Sequence, residues 1–331
     1  MKTDYHICVV TVTYGNRWKY LSKVLDRVLE MQEFLNINVV VVDNTGNDSI
    51  VNLVKSKNKD IHIINMHGNT GSAAGFKAGI KYAHRVIFAD FVWLLDDDNL
   101  PERNSINSLL QEYENLGSDA NNTFLSMRSD RNQLKKAIFE KKSIKLWPNT
   151  FLGFSLSKKL LTNNTENNTC IGDISNYPCV NVDYAPYGGF FFHKSWIPQI
   201  GFPNEEYFVY SDDHEYTNRV IRMGGKIWLT PRSLVEDLEC SYRYRAGMKN
   251  VYSDLDYPSD RAFFEIRNKI NFEKCTVKFW AIFSINGLIY LPYLVLLIFI
   301  QKGSFSNKVL RLKLIYGAVY KGLNMKCCIK F

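Results

Sequence analysis

The chain has 331 residues, 46% of them hydrophobic and 22% charged, so it can bury one large core or two and is not a disordered or collagen-like chain. Its net charge of +8 is concentrated at one end: from residue 274 onward there are nine Lys or Arg and no Asp or Glu, which leaves residues 1–273 at −1. Those basic residues are interleaved with a long apolar run rather than with a polar, aromatic-lined groove, which argues against nucleic acid as the partner.

The seven cysteines (Cys8, Cys170, Cys179, Cys240, Cys275, Cys327, Cys328) are odd in number and form no CxxC pair. Neither a zinc site nor a disulfide framework is therefore predicted. Cys327 and Cys328 read as buried or idle thiols, with lipidation as the alternative. The apolar run at 7–12 is too short for a signal peptide, and none is expected. Sequons such as Asn121-Asn122-Thr123 and Asn167-Asn168-Thr169 read as chance in an Asn-rich chain.

In chain order, HICVVTVTYGNR reads as a strand entering a polar loop, and WKYLSKVLDRVLEMQEFL has helical periodicity. INVVVVDNTG is a second strand and turn, followed by the short helix SIVNLVKSK. DIHIINMHGNTGSAAGFKAGIKYAHR runs strand, Gly-rich turn, helix. ADFVWLLDDDN supplies the next strand. Strands alternating with helices predict βαβ units and a mostly parallel sheet, with ligands at the carboxyl ends of its strands. Thr13, Asn16, Arg17, Asp43, Asn44, Asn69 and the triplet Asp96, Asp97, Asp98 converge on that edge by topology alone. Three adjacent carboxylates repel one another and are expensive to desolvate. A divalent cation held by oxygen ligands would relieve that strain, and a solvated acidic turn would also fit. GNTGSAAG has neither P-loop nor GxGxxG spacing. Its small residues admit a phosphate or sugar, or simply tight packing.

NSINSLLQEYENL reads as a helix, and 121–180 as variable loops with weak strand-like pieces such as SIKLWPNTFLGFSL. GGFFFHKSWI is an apolar strand feeding a helix. In YSDDHEYTNRVIRMGG, Ser211 is the expected N-cap, Asp212, Asp213 and Glu215 occupy the first turn, and Gly224 and Gly225 close the helix. Acidic residues favour a helix start on dipole grounds. The same pair of aspartates beside an aromatic run also makes a general-base station. Residues 279–300 form 22 uncharged positions, long enough to cross a bilayer but interrupted by Asn286, Gly287 and Pro292. Beyond them, apolar residues at helical spacing alternate with Lys308, Arg311, Lys313 and Lys321, as in a basic amphipathic helix on a membrane.

The ordered set TVTYGNR, VVVDNTG, NTGSAAGFKAGI, WLLDDD, YGGFFF, YSDDHEY and RAFFEIRNK resembles the inverting family 2 glycosyltransferases of GT-A fold, over about residues 6–270. Within that family it looks most like bacterial galactofuranosyltransferases, with polysaccharide rhamnosyltransferases using dTDP-rhamnose as the rival. The resemblance implies an α/β GT-A domain over 1–240 (1–100 the nucleotide-sugar half, 101–240 the acceptor half), a helical connection over 241–275 and a membrane-association region over 276–331.

It also implies roles. Thr13, Asn16, Arg17, Asp43, Asn69 and Asp97 would contact a UDP-sugar donor. Asp96 and Asp98 would ligate Mn²⁺ or Mg²⁺. Asp213 would be the base, with Asp212 and Glu215 positioning hydroxyls, and Phe190 to Phe192 would form an aromatic acceptor platform. The family's metal-site histidine is replaced by Asp237, with Glu236 as competitor, and His214 would be a spectator. The acceptor implied is a lipid-linked glycan of surface polysaccharide such as O-antigen or capsule, reached from the cytoplasmic face of the bacterial inner membrane.

Overall fold

The computed structural model describes residues 5–46, 48–161, 174–239 and 250–327. Cys170, Cys240, Cys328 and the sequon at Asn167 lie outside them. The described residues divide into two compact units. The first takes 5–145, 174–208 and 213–239; the second takes 146–161, 209–212 and 250–327.

The first unit is built on a sheet of nine strands. Strands β1 (Ile7–Thr13), β2 (Ile37–Asp43), β3 (His62–Asn65) and β4 (Phe91–Asp96) form its parallel part, in the order β3-β2-β1-β4. Helices α1 (Trp18–Gln32), α2 (Asp48–Lys57) and α3 (Gly71–Tyr82) make the crossovers. These are the predicted βαβ units. The sheet continues through β8 (Phe190–His193), β6 (Asn122–Arg128), β9 (Lys226–Asp237) and β5 (Asn99–Pro101), while β7 (Val180–Val182) pairs with β9. Of these junctions, β4 with β8 and β8 with β6 are antiparallel, and β6 with β9 is parallel. Helix α4 (Ser105–Asn115) matches the predicted NSINSLLQEYENL helix, and α5 (Asn132–Phe139) follows β6.

The sheet is buried on both faces. Val10, Val92, Leu94, Phe190 and Phe192 belong to one core, and Val9, Phe91, Trp93, Leu95 and Phe191 to the other. That is why its strands read as continuous apolar runs rather than alternating ones. It also corrects one expectation. Phe190, Phe191 and Phe192 are each 0% exposed, so they are core residues and offer no acceptor platform.

The Gly-rich turn serves packing. Gly75 and Gly79 lie on β1, where an added Cβ would come within 2.6 Å of Val12 and 2.2 Å of Val10. At Gly71, with φ +83°, a Cβ would lie 2.1 Å from the carbonyl oxygen of Phe208, which already accepts from Ala73 N. Only glycine meets both the positive φ and the clearance. Gly71→Ala should lower Tm clearly, because Phe208 backbone must move; an unchanged melting curve would refute this role.

The expected strand-like pieces of 143–156 are not strands. Only isolated bridges, Ile144 with Val182 and Phe151 with Phe154, occur there. From residue 146 onward the segment belongs to the second unit, in which Phe151 and Leu152 join a core with residues of three helices: α9 (Ser259–Lys274), α10 (Trp280–Ile300) and α11 (Phe305–Asn324). The short helix α6 (Leu156–Leu161) follows it, while α7 (Trp196–Ile200) and α8 (Asp212–Arg222) complete the set. Cys275 and Cys327 form a disulfide across 52 residues, contrary to the prediction of idle thiols; no local spacing could have announced it.

Candidate active site

Parallel register brings the polar strand ends to one edge. Thr13 stands opposite Asp43, Val12 opposite Asp96, and Asp43 opposite Asn65. At the end of β4, the three aspartates point to different partners. Asp97 is buried: its Oδ2 accepts from Thr13 Oγ1 at 2.7 Å and its Oδ1 from Arg17 Nε at 2.7 Å. Arg17 Nη2 lies 2.9 Å from Asp98 Oδ2, and its Nη1 contacts Glu239. Burial opposes the charge on Arg17, but Asp97, Glu239 and Asp98 outweigh it and hold the guanidinium above its usual pKa.

Asp96 keeps 41% of its side-chain surface, so its carboxylate is open on one side. Protein crowds the other side. Burial pushes its carboxyl up to about 7; Arg128, with Nη1 at 3.8 Å, works against this, and Asp98, Asp97 and Asp237 add to it. Asp97 is likewise pushed up to about 6 by burial, against the pull of Arg17, and Asp98 is raised by burial. Gly188 makes room here, since a Cβ on it would lie 2.0 Å from Asn99 Oδ1 and 2.8 Å from Asp96 Oδ2.

Asp237 arrives by the antiparallel pairing of β9 with β5, directly opposite Asn99. Its side chain is 5% exposed and fully engaged. It accepts from Asn99 Nδ2 at 2.9 Å and from Arg131 Nη2 at 2.6 Å, and it pairs with Arg128. Glu236 is exposed, and strand alternation turns Asp237 rather than Glu236 into the cluster. Six carboxylates (Asp96, Asp97, Asp98, Asp130, Asp237, Glu239) thus gather around three guanidinium groups (Arg17, Arg128, Arg131).

Arg128, Arg131, Asn99 and Glu239 did not stand out in the sequence. The signal was there in SMRSDR, two arginines at the end of a buried strand. Among the described residues no three His, Cys, Asp or Glu form a ready-made ion site, because arginines stand between the carboxylates. The donor set still fits a hard divalent cation: it is all oxygen, outnumbers its cations, and leaves Asp96 accessible.

At the neighbouring strand end, Asp43 Oδ1 accepts from Thr45 N at 2.8 Å and Thr45 Oγ1 at 2.6 Å. Its Oδ2 is buried with no hydrogen-bond partner among the described residues. Asn69 is exposed and its Oδ1 accepts from Gly71 N at 3.0 Å; Asn16 is exposed.

The second acidic cluster opens α8. Ser211 has φ 58°, not the extended backbone of a capping serine, and Tyr210 has φ 69°. Asn268, fully buried in α9, clamps this strained segment by donating to the carbonyls of Val209 at 2.7 Å and Tyr210 at 2.9 Å. Asp212 is buried, and Asp213 keeps 24% of its side-chain surface. Asp213 Oδ1 accepts from His214 N at 2.7 Å, and the His214 ring stands 4.6 Å from that of Tyr184.

Glu215 is corrected. Both its oxygens bind Arg219, at 2.9 and 2.5 Å, in a buried i,i+4 pair, so it braces the helix and is not available to hold hydroxyls. Gly224, with φ +88°, closes α8 as predicted. Thr217 bonds Ala185 and Asn218 bonds Asp183, which ties α8 to the segment running up to Gly188 beside Asp96.

A half-parallel sheet with a carboxylate cluster at its strand ends and a second one opening a later helix is the arrangement of a GT-A glycosyltransferase. The fold is shared with the crystal structure of GalNAc-T7 with UDP, GalNAc and Mn²⁺ (TM-score 0.56, 11% identity), covering 85% of this chain and 50% of that one. It is also shared with S. aureus TarS 1–349 (TM-score 0.50, 12% identity), covering 95% and 90%.

Residues 8–169 match the Glycosyl transferase family 2 model: the chain carries a family 2 glycosyltransferase domain and is a glycosyltransferase. It is 26% identical over 271 residues to galactofuranosyltransferase GlfT1 of Mycolicibacterium smegmatis (strain ATCC 700084 / mc(2)155), covering 80% of this chain and 81% of that protein.

Proposed function

We propose that the protein is a metal-dependent, inverting transferase that moves galactofuranose from UDP-galactofuranose to a lipid-linked glycan of bacterial surface polysaccharide, working at the cytoplasmic face of the inner membrane. The observation that carries the reading is the excess of carboxylates over guanidinium groups around the accessible Asp96. The similarity to a galactofuranosyltransferase supports the choice of sugar. Asp96 and Asp98 would hold Mn²⁺ or Mg²⁺, which supplies charge stabilisation to the departing diphosphate. Asp237 joins them only by giving up an arginine.

The chain's own residues do the rest. The buried Asp43 Oδ2 accepts an N–H or O–H from the nucleoside. Thr13 and Arg17 fix Asp97 beside the sugar, with Asn16 and Asn69 on the exposed rim for further donor contacts. Arg17, Arg128 and Arg131 bring positive charge to the diphosphate end. Asp213 takes the proton of the attacking acceptor hydroxyl, and Asp212 orients the groups around it. Attack opposite the leaving diphosphate inverts the anomeric centre.

Donor binding is testable without turnover. UDP at about 100 times its Kd with Mn²⁺ should stabilise the protein by about 2.7 kcal/mol. Asp43→Ala or EDTA should each shrink that gain, read as the UDP-dependent shift rather than the baseline Tm. A UDP shift untouched by EDTA would remove the cation from donor binding.

A further inference from the structure

We infer that α10 lies in the plane of an anionic membrane surface as a one-sided anchor and does not cross the bilayer. The inference rests on the membrane reading above and sharpens it. By length and composition alone, Trp280–Ile300 qualifies to span a bilayer. Its surroundings within the second unit forbid it. Phe283, Asn286, Gly287, Leu294 and Ile298 are buried. Their spacing keeps one side of the helix against protein from end to end.

The other side is bare and apolar: Ile285, Leu288, Leu296 and Ile300 are 49%, 75%, 59% and 68% exposed. The buried side is tied down by polar groups. Asn286 donates to Asn149 O at 2.7 Å and accepts from Leu156 N at 3.1 Å. Asn149 Oδ1 accepts the free N–H groups of Lys278 and Phe279 at the helix start, both at 2.8 Å. At the far end, Gln301 donates to Ser253 O at 2.9 Å.

Pulling α10 through a bilayer would either break these bonds or drag the 149–156 loop and α9 with it. The loop is irregular backbone, which hydrocarbon does not admit at a lipid-exposed position. In α9, Glu273 is buried and accepts from Thr150 Oγ1 at 2.9 Å and Gly153 N at 2.8 Å. A charged helix of that kind does not belong at the bilayer centre. Half-immersion satisfies both sides: the apolar face enters the acyl boundary, and the bonded face stays with the protein.

The choice of lipid follows from charge. Lys278, Lys302, Lys313 and Lys321 are exposed, and no acidic residue follows Glu273. Each such lysine favours an anionic surface by about fivefold.

The test uses the full chain. Flotation should show binding to phosphatidylcholine vesicles containing phosphatidylglycerol at least tenfold over pure phosphatidylcholine. Replacing Lys302, Lys313 and Lys321 by Gln should weaken it about a hundredfold. In inverted inner-membrane vesicles from expressing cells, Lys278→Cys and Lys302→Cys should both react with an impermeant maleimide without detergent, above the labelling of the parent chain. Reaction of only one of them until detergent is added would mean that α10 spans, overturning the inference while membrane attachment survives. Equal binding to neutral vesicles would overturn the anionic preference. No flotation with either lipid, together with a dimer by light scattering, would assign the face to a second copy and remove the membrane reading, leaving the transferase assignment untouched.

Discussion

Asp213→Asn should lower kcat by about 10²–10⁴-fold, the usual worth of general-base help, while donor binding stays near normal. The substitution keeps shape and the hydrogen bond from His214 N, which an amide oxygen accepts as well as a carboxylate does. What is lost is the ability to take a proton. Neighbouring groups offer poor substitutes: Glu215 is locked to Arg219 and Asp212 is buried. Steady-state kinetics with a saturating acceptor, alongside UDP binding measured separately, reads the two effects apart. Near-normal turnover would take the base role away from Asp213.

The second large effect is on stability. Asp237→Ala takes from the guanidinium of Arg128, whose side chain is 8% exposed, its close partner and leaves it Asp96 at 3.8 Å with the charges of Asp98 and Asp130 acting from around it. Removing one partner of a buried ion pair costs about 3–5 kcal/mol, because the other charge stays buried and unpaired. For a unit of this size that corresponds to a Tm lower by about 10 °C. The double variant Asp237→Ala, Arg128→Met should recover much of the loss, since a methionine needs no counter-charge. If Asp237 served chiefly as an ion ligand, the single variant would melt normally and lose only Mn²⁺ affinity.

The parts of the fold that the sequence made legible are those in which each element announces its own period. The strands and helices of 6–100 alternate, and their register places Thr13, Asp43 and Asp96 at one edge without further information. The Asp96–Asp98 triplet was visible as an anomaly, three charges ending an apolar strand. Long-range pairing was not legible. Asp237 reaches Asn99 across 138 residues, and Arg128 and Arg131 reach Asp237 across more than 100.

Two readings failed for a common reason: exposure cannot be read from residue type. Phe190 to Phe192 looked like a surface platform but form a strand covered on both faces. Glu215 looked like a catalytic carboxylate, yet a helical turn away stands Arg219, which takes both its oxygens. In RAFFEIRNK, similarly, the sequence drew attention to a motif without its purpose, which includes Asn268 holding the strained carbonyls of Val209 and Tyr210.

The most direct measurement is release of UDP by the membrane-purified protein offered UDP-galactofuranose, other UDP-sugars and dTDP-rhamnose, each with Mn²⁺ and with EDTA. The account predicts UDP release from UDP-galactofuranose alone, abolished by EDTA and restored by added Mn²⁺. Turnover indifferent to EDTA, or confined to dTDP-rhamnose, would contradict it and make the carboxylate–arginine cluster a metal-free hydrogen-bonding site.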